Sequence, residues 1–358
     1  MYYLALISYW LFFWWGKLRN PYQLCTSELM TTNFPFWYAG APFKDSIYYK
    51  YPICIPFLST TYPPSYITSK LSSLFTLDTA FKVYAYFILA HYLLASMIAF
   101  QLFLPYGKTE ALFGAITLTY SGFNIKPQTP SFVYTMCWIP GMLIPGWFGV
   151  LSCFMAITGG YWPILVYVLP MISFLNPMSL LGILTALIQI IPFMWYWPKS
   201  VRHKEKIDDS IGRIPWWKLK DFFIPSNSVS LVNGVHYPEA SMYLGLAGFL
   251  ILNLNIWLLP LVLGILVAVG LIPPVQRIPA RSLYLVTLSA VFLALESHPG
   301  ISLTILQAYL LTVNASLYPS FPFSQWWQKP SLCYPDSDYT GYLTSSKKHD
   351  YEGAFALK

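Results

Sequence analysis

Two long stretches without an acidic or basic side chain dominate the polarity pattern of this chain. Residues 127–198 contain no Asp, Glu, Lys, Arg or His, and residues 241–272 contain none either. About 20 consecutive apolar residues cross a bilayer, so this spacing predicts a chain that crosses a membrane several times. A further span is expected over 79–104, carrying Lys82, His91 and Gln101, and another over 109–124 after the turn "PYGKTE". The first apolar run, 2–16, is short for a span. It lacks a basic leader and a small-residue cleavage site, and so reads as a retained helix.

Proline and glycine punctuate the uncharged stretches. Pro140, Pro145, Gly159-Gly160, Pro170 and Pro177 divide residues 131–197 into three or four helices, some short or re-entrant. Residues 241–272 are expected to form two helices broken near Asn253, Asn255 and Pro260, and further helices are expected over 281–295 and 300–317. The pattern predicts an all-α polytopic bundle of roughly eight to ten helices. Residues 1–318 form its transmembrane domain, with a long first loop over 17–78 and a basic loop over 199–240, and a polar tail covers 319–358. No internal repeat is visible.

Composition sharpens this reading. Of 358 residues, 56% are hydrophobic, 19% aromatic and 10% charged, against roughly 25% charged in a soluble domain. The mean hydropathy is +0.52. A net charge of +7 suits lipid headgroups or a phosphate-bearing substrate. Nucleic acid does not fit, because the basic residues are few and flank the apolar runs. They cluster in "KSVRHKEKIDDSIGRIPWWKLKD", where seven Lys/Arg face four Asp/Glu for a net +3. With alternating hairpins, nearly every Lys and Arg falls on one face of the membrane, with Lys108 the exception; the positive-inside rule would make that face cytoplasmic, and a basic vestibule for a phosphate-bearing lipid is the other reading. Of the five cysteines, Cys137 and Cys153 sit in apolar runs and read as small buried hydrophobes. Cys25 and Cys54 share one loop and could pair in an oxidising compartment.

Seven segments resemble, in order, the YfhO-type bacterial membrane proteins, which are polytopic relatives of the GT-C glycosyltransferases. They are "FPFWYAGAPFKDS", "TYPPS", "CWIPGMLIPGW" followed by "AITGGYWPILVY", "LLGILTALIQIIPFMWYWPKSVR", "IPWWKLKDFFIP", "YPEASMYLGLAGFLIL" and "RIPARSLYLVTLSAVFLAL". The resemblance covers about residues 28–296. It implies a GT-C-like helical fold in the bacterial cytoplasmic membrane, with the first loop and the later basic loop on the extracytoplasmic side. It also implies transfer of a sugar from a polyprenyl-phosphate donor to a cell-envelope acceptor, among membrane lipids. No resident cofactor is called for, and a divalent cation is left open.

The chain departs from that pattern in three respects. No Asp or Glu precedes Glu28, where the family places an acid after its first helix. The Trp-x-Pro region is compressed, and the chain stops soon after the "RIPAR" helix, as in a shortened relative. A non-catalytic relative that binds lipid or a partner protein is therefore a second reading. A small-molecule transporter is a third, opposed by the absence of repeats and by the scarcity of intramembrane charge.

The proposed chemistry needs a base for the acceptor hydroxyl and cations for the departing phosphate. Glu28 and Asp45 are the only acids in residues 1–77 and are the candidate bases, with Asp45 preferred for its place after "GAPFK". The alternative for Asp45 is an exposed carboxylate paired with Lys44, and for Glu28 a surface acid. Lys44, Arg202, Arg277 and Arg281 are the candidate phosphate ligands, since a guanidinium binds phosphate oxygens bidentately. Headgroup anchoring at helix ends is the alternative for each arginine. Trp37, Tyr38, Tyr48 and Tyr49 are expected at headgroup depth, stacked on sugar rings or forming an interfacial belt. Gln189 reads as helix-to-helix glue, and His91 either as a proton relay or as a packed, hydrogen-bonded histidine.

Overall fold

Thr76 begins the longest helix. Its hydroxyl accepts the Thr79 amide at 3.4 Å, and Asp78 sits in the positive first turn, as helix N-termini prefer. The helix then runs unbroken over Leu77–Phe103 (α4). At 1.5 Å per residue its 27 residues span about 40 Å. Among the described residues this is the one helix long and apolar enough to cross a membrane by itself.

The computed structural model describes residues 1–24, 34–38, 62–125, 130–196, 213–225, 231–232, 235–236, 242–251, 255–272 and 282–316. The architecture is all-helical. The longer helices, besides α4, are α1 (Tyr2–Arg19), α5 (Lys108–Tyr120), α7 (Pro130–Met142), α8 (Trp147–Gly159), α9 (Trp162–Leu175), α11 (Leu187–Tyr196), α12 (Leu258–Val269), α13 (Leu283–Leu295) and α14 (Ile301–Ser316). Short helices α2 (Phe34–Tyr38), α3 (Pro63–Leu71), α6 (Gly122–Ile125) and α10 (Leu181–Thr185) link them. The only strands among the described residues are the antiparallel pair Leu231–Val232 and Val235–His236, with Leu231 opposite His236.

Hairpins set the helix directions. Tyr2 stacks on Phe100, Trp10 Nε1 donates to the Leu89 carbonyl at 2.8 Å, and Tyr22 stacks on Phe81, so α1 runs antiparallel to α4. Ser96 meets Tyr120 at one level of α4 and α5, while Phe103 fills the space beside Gly114. Trp257 stacks flat on Phe292 at 3.8 Å and Ser282 Oγ donates to the Gly264 carbonyl at 2.7 Å, which sets α12 antiparallel to α13. The described charges divide accordingly. Lys17, Arg19 and Lys82 lie at one end of the α1/α4 pair, and Lys108 and Glu110 lie beyond the other.

Inside the uncharged stretch, small polar side chains close the backbone. Thr135 Oγ1 donates to the Ala156 carbonyl at 3.0 Å and accepts the Tyr161 amide at 3.0 Å. Asn176 Nδ2 donates to the carbonyls of Met142 and Ile144, which end α7. Pro140 lies within α7 instead of ending it. It has no N–H for the carbonyl of Met136 four residues back, and Tyr284 Oη donates to that carbonyl at 3.4 Å. Pro170 is likewise inside α9, whereas Pro145 and Gly160 do fall between helices.

The first half of 241–272 departs from the expected pair of helices. Residues 245–248 form a 3-10 turn, and among the described residues of this stretch the α-helix is α12, in the second half. The first loop is also partly helical, since α1 extends to Arg19 and α2 and α3 lie within 17–78.

Candidate functional site

Most of the residues singled out by the sequence lie outside the described residues: Glu28, Lys44, Asp45, Tyr48, Tyr49, Arg202, Arg277 and Arg281. Trp37 and Tyr38 are described. Trp37 is buried, its ring 4.8 Å from that of Tyr84, and its indole N–H donates to Thr68 Oγ1 at 3.2 Å. Its carbonyl accepts from Ser69 Oγ at 2.6 Å, and the Tyr38 carbonyl accepts from Ser72 Oγ at 2.9 Å. The half-buried Tyr38 ring stacks on Phe34. The α2 aromatic cluster is thus riveted to α3 and to the start of α4.

From there the chain reaches a buried polar centre. Tyr62, immediately before α3, has no solvent exposure and stacks on Tyr134 of α7 at 4.7 Å. Its hydroxyl lies 2.8 Å from His91 Nε2 on α4 and accepts the indole N–H of Trp138 on α7 at 2.8 Å. His91 Nδ1 lies 2.7 Å from the Phe87 carbonyl. A carbonyl only accepts, so Nδ1 carries the imidazole proton and Nε2 is the bare acceptor. The Tyr62 O–H therefore donates to Nε2. The result is one directed chain: Trp138 N–H to Tyr62 O–H to His91, and His91 N–H to the Phe87 carbonyl.

This geometry holds a neutral imidazole, with no carboxylate among the described neighbours. Burial pushes the Tyr62 phenol far above the ordinary tyrosine range, with Cys137 adding to the rise and the Trp138 N–H opposing it. His91 is thus a packed, hydrogen-bonded histidine, the second of the two readings its sequence position allowed. Cys137 and Cys153 are both buried free thiols. Among the described residues no group of three His, Cys, Asp or Glu side chains is placed to hold a metal.

A second polar centre was not foreseen. Gln307 of α14 is fully buried. Its Nε2 donates to the Leu244 carbonyl at 2.8 Å and to Thr117 Oγ1 at 3.0 Å, and its Oε1 accepts the Leu246 amide at 2.6 Å. The Gln307 amide therefore takes the place of a strand or helix partner for the irregular 244–246 backbone. Gly122 N–H donates to the Tyr243 carbonyl, and the Leu244 amide donates to the Phe222 carbonyl at 3.1 Å.

Several segments quoted for the family resemblance supply buried aromatic side chains. "TYPPS" supplies Tyr62, "CWIPG" supplies Trp138, "FPFWY" supplies Trp37, and "SLYLV" supplies Tyr284. Of these, the sequence marked Trp37 alone for a role. The others carry no charge, and the Tyr62–Trp138 and Tyr284–Met136 bonds join residues 76 and 148 positions apart, so only the fold reveals them. No family model matches the chain, and no curated protein or solved structure is significantly similar to it.

Proposed function

We propose that the chain is a multi-pass, GT-C-like protein of the bacterial cytoplasmic membrane that transfers a sugar from a polyprenyl-phosphate donor to a cell-envelope acceptor. The membrane part of this reading is supported by the surface. Trp147 is 74% exposed, Phe174 87% and Ile188 63%, on helices without a charged residue. Large apolar side chains this exposed on uncharged helices suit lipid better than water. Irregular backbone at 244–246, satisfied by a buried glutamine, is the form such backbone takes when enclosed by protein at membrane depth.

The glycosyl-transfer part rests on the ordered segments, and one observation carries it. The Tyr62–Trp138 hydrogen bond ties the end of the first loop to the Trp-x-Pro helix, so two segments far apart in sequence belong to one structural unit. In the proposed reaction Asp45, or Glu28, takes the proton from the acceptor hydroxyl. The acceptor oxygen attacks the anomeric carbon, the bond from that carbon to the donor phosphate oxygen breaks, and the lipid phosphate leaves. Lys44, Arg202, Arg277 and Arg281 would neutralise it.

The test compares envelope glycans of a host carrying the wild-type chain, an empty vector, Asp45→Ala and Arg202→Ala. A glycan that appears with the wild-type chain and is lost in both variants supports the reading. Glycans identical in all four strains overturn it and leave a membrane protein without this chemistry.

A further inference from the structure

The segment "PWWKLKDFF" forms a 3-10 helix over Trp216–Phe222. Such a helix has three residues per turn, so positions three apart share a face. Trp217, Lys220 and Phe223 follow that spacing, and all three are exposed, as is Trp216 beside them. The opposite side is held to the bundle. Asp221 is buried and pairs with Lys218 at 3.4 Å, the Phe222 carbonyl accepts the Leu244 amide, and Ile214 N–H donates to the Ala268 carbonyl at the end of α12 at 2.8 Å. The Arg213 side chain lies across Gly270 at that same helix end, where a Cβ would come within 2.4 Å of its Cδ. Trp216 is 73% exposed and Trp217 57%, although the element beneath them is fixed.

The geometry points to this helix as a surface anchor that seats two tryptophans in the headgroup layer of an anionic bilayer; it rests on the membrane reading above. Three observations select lipid as the occupant. First, tryptophan's amphipathic ring and lysine's long stem suit the depth where hydrocarbon meets water. Second, the exposed side is cationic, because Lys220 interrupts the aromatic row, which complements lipid phosphate. Third, the face continues into exposed apolar surface, through Phe223 tilted against Phe249 with ring centroids 5.0 Å apart, and Ile224 beyond it. A short amphipathic element with aromatics on one side and bases beside them lies in the interface plane.

The test places p-acetylphenylalanine at position 217, labels it with a ketoxime nitroxide, and reconstitutes the full chain in nanodiscs. The discs contain phosphatidylcholine with or without phosphatidylglycerol. The same label at position 188 reports on the hydrocarbon, and a label at position 216 replaces the first should the 217 variant not fold. Accessibility to oxygen against a water-soluble nickel chelate gives the depth. Expected are a 188 label in hydrocarbon and a 217 label at headgroup depth, shielded from nickel several-fold more in anionic discs and less so after Lys220→Gln. A 188 label in hydrocarbon with a 217 label open to nickel in both discs overturns the anchor alone. Both labels in water overturn the anchor and the membrane reading together. Shielding at 217 that persists unchanged in detergent micelles, or arises only on adding an oligosaccharide, assigns the face to a second chain or to sugar and overturns lipid.

Discussion

The indole N–H of Trp138 ends 2.8 Å from the Tyr62 hydroxyl, so that oxygen accepts from the indole and keeps its own proton for a further partner. Tyr62 cannot both accept from His91 and donate to it, and the Phe87 carbonyl settles the matter by claiming the proton on Nδ1. Tyr62→Phe removes the middle of the chain and strands two groups, the Trp138 N–H and His91 Nε2. Trp138→Phe strands none, because a phenol oxygen can forgo one acceptor site. Tyr62→Phe should therefore cost about 2 kcal/mol and Trp138→Phe about 1 kcal/mol from the lost hydrogen bond. The double variant should fall short of their sum, since both delete the same bond. Reversible unfolding in mixed micelles would measure this, and strict additivity would mean that the bond contributes nothing.

Gln307 and Gly245 form a tighter coupling. Gly245 has φ +61°, and a Cβ there would lie 2.3 Å from Gln307 Oε1. Gly245→Ala meets both a strained backbone and a displaced amide, and is expected to lower stability by about 3 kcal/mol or more. Gln307→Leu fills a similar volume but abandons the Leu244 carbonyl and the Leu246 amide, for a loss of about 3 kcal/mol. Because the alanine already disturbs the same amide, combining the two should add much less than the second variant costs alone. Hydrogen exchange at Leu246 offers an independent readout and should quicken in each single variant.

Pro140 was expected to break a helix because proline lacks the N–H for a carbonyl four residues back. The helix persists, and Tyr284 Oη reaches that Met136 carbonyl. Tyr284→Phe should thus cost about 1 kcal/mol. Pro140→Ala restores the backbone donor and should recover most of the loss in the Tyr284→Phe background, while gaining less in the wild type. Failure of that rescue, read from thermal midpoints of the four proteins, would show that the tyrosine serves packing alone.

These particulars mark where the sequence was readable. The helices expected at 79–104, 109–124, 281–295 and 300–317 correspond to α4, α5, α13 and α14 within a few residues, because continuous apolar stretches leave the backbone little choice. Residues 243–250 misled for the opposite reason. They are as apolar as a helix, but a glutamine more than 50 positions later supplies the hydrogen bonds that a helix would otherwise have to provide. Pro140 misled likewise, since its remedy lies on another helix. His91 stood out in the sequence as a lone polar group in a span. Tyr62 and Trp138 did not, because aromatic residues abound in this chain and nothing local distinguishes these two.

The division of charge along α4 yields the last prediction. Arg19 is exposed at the end of α1 that packs near the start of α4, since Tyr86 Oη donates to the neighbouring Leu18 carbonyl at 3.1 Å. Lys108 is exposed just past the other end of α4, after the turn at Gly107. If α4 crosses the bilayer, these two positions face different compartments, and about 40 Å of helix exceeds the roughly 30 Å hydrocarbon core. In intact cells, a membrane-impermeant maleimide should label one of Arg19→Cys and Lys108→Cys and spare the other, while both should react in opened membranes. Labelling of the unaltered chain gives the contribution of its own cysteines, of which Cys137 and Cys153 are buried. Lys82→Cys, about one turn before Tyr86 on the same helix, should share the pattern of Arg19→Cys. Labelling of both ends from one side would refute a spanning α4 and return the helix to the interior of a bundle that lies on the membrane.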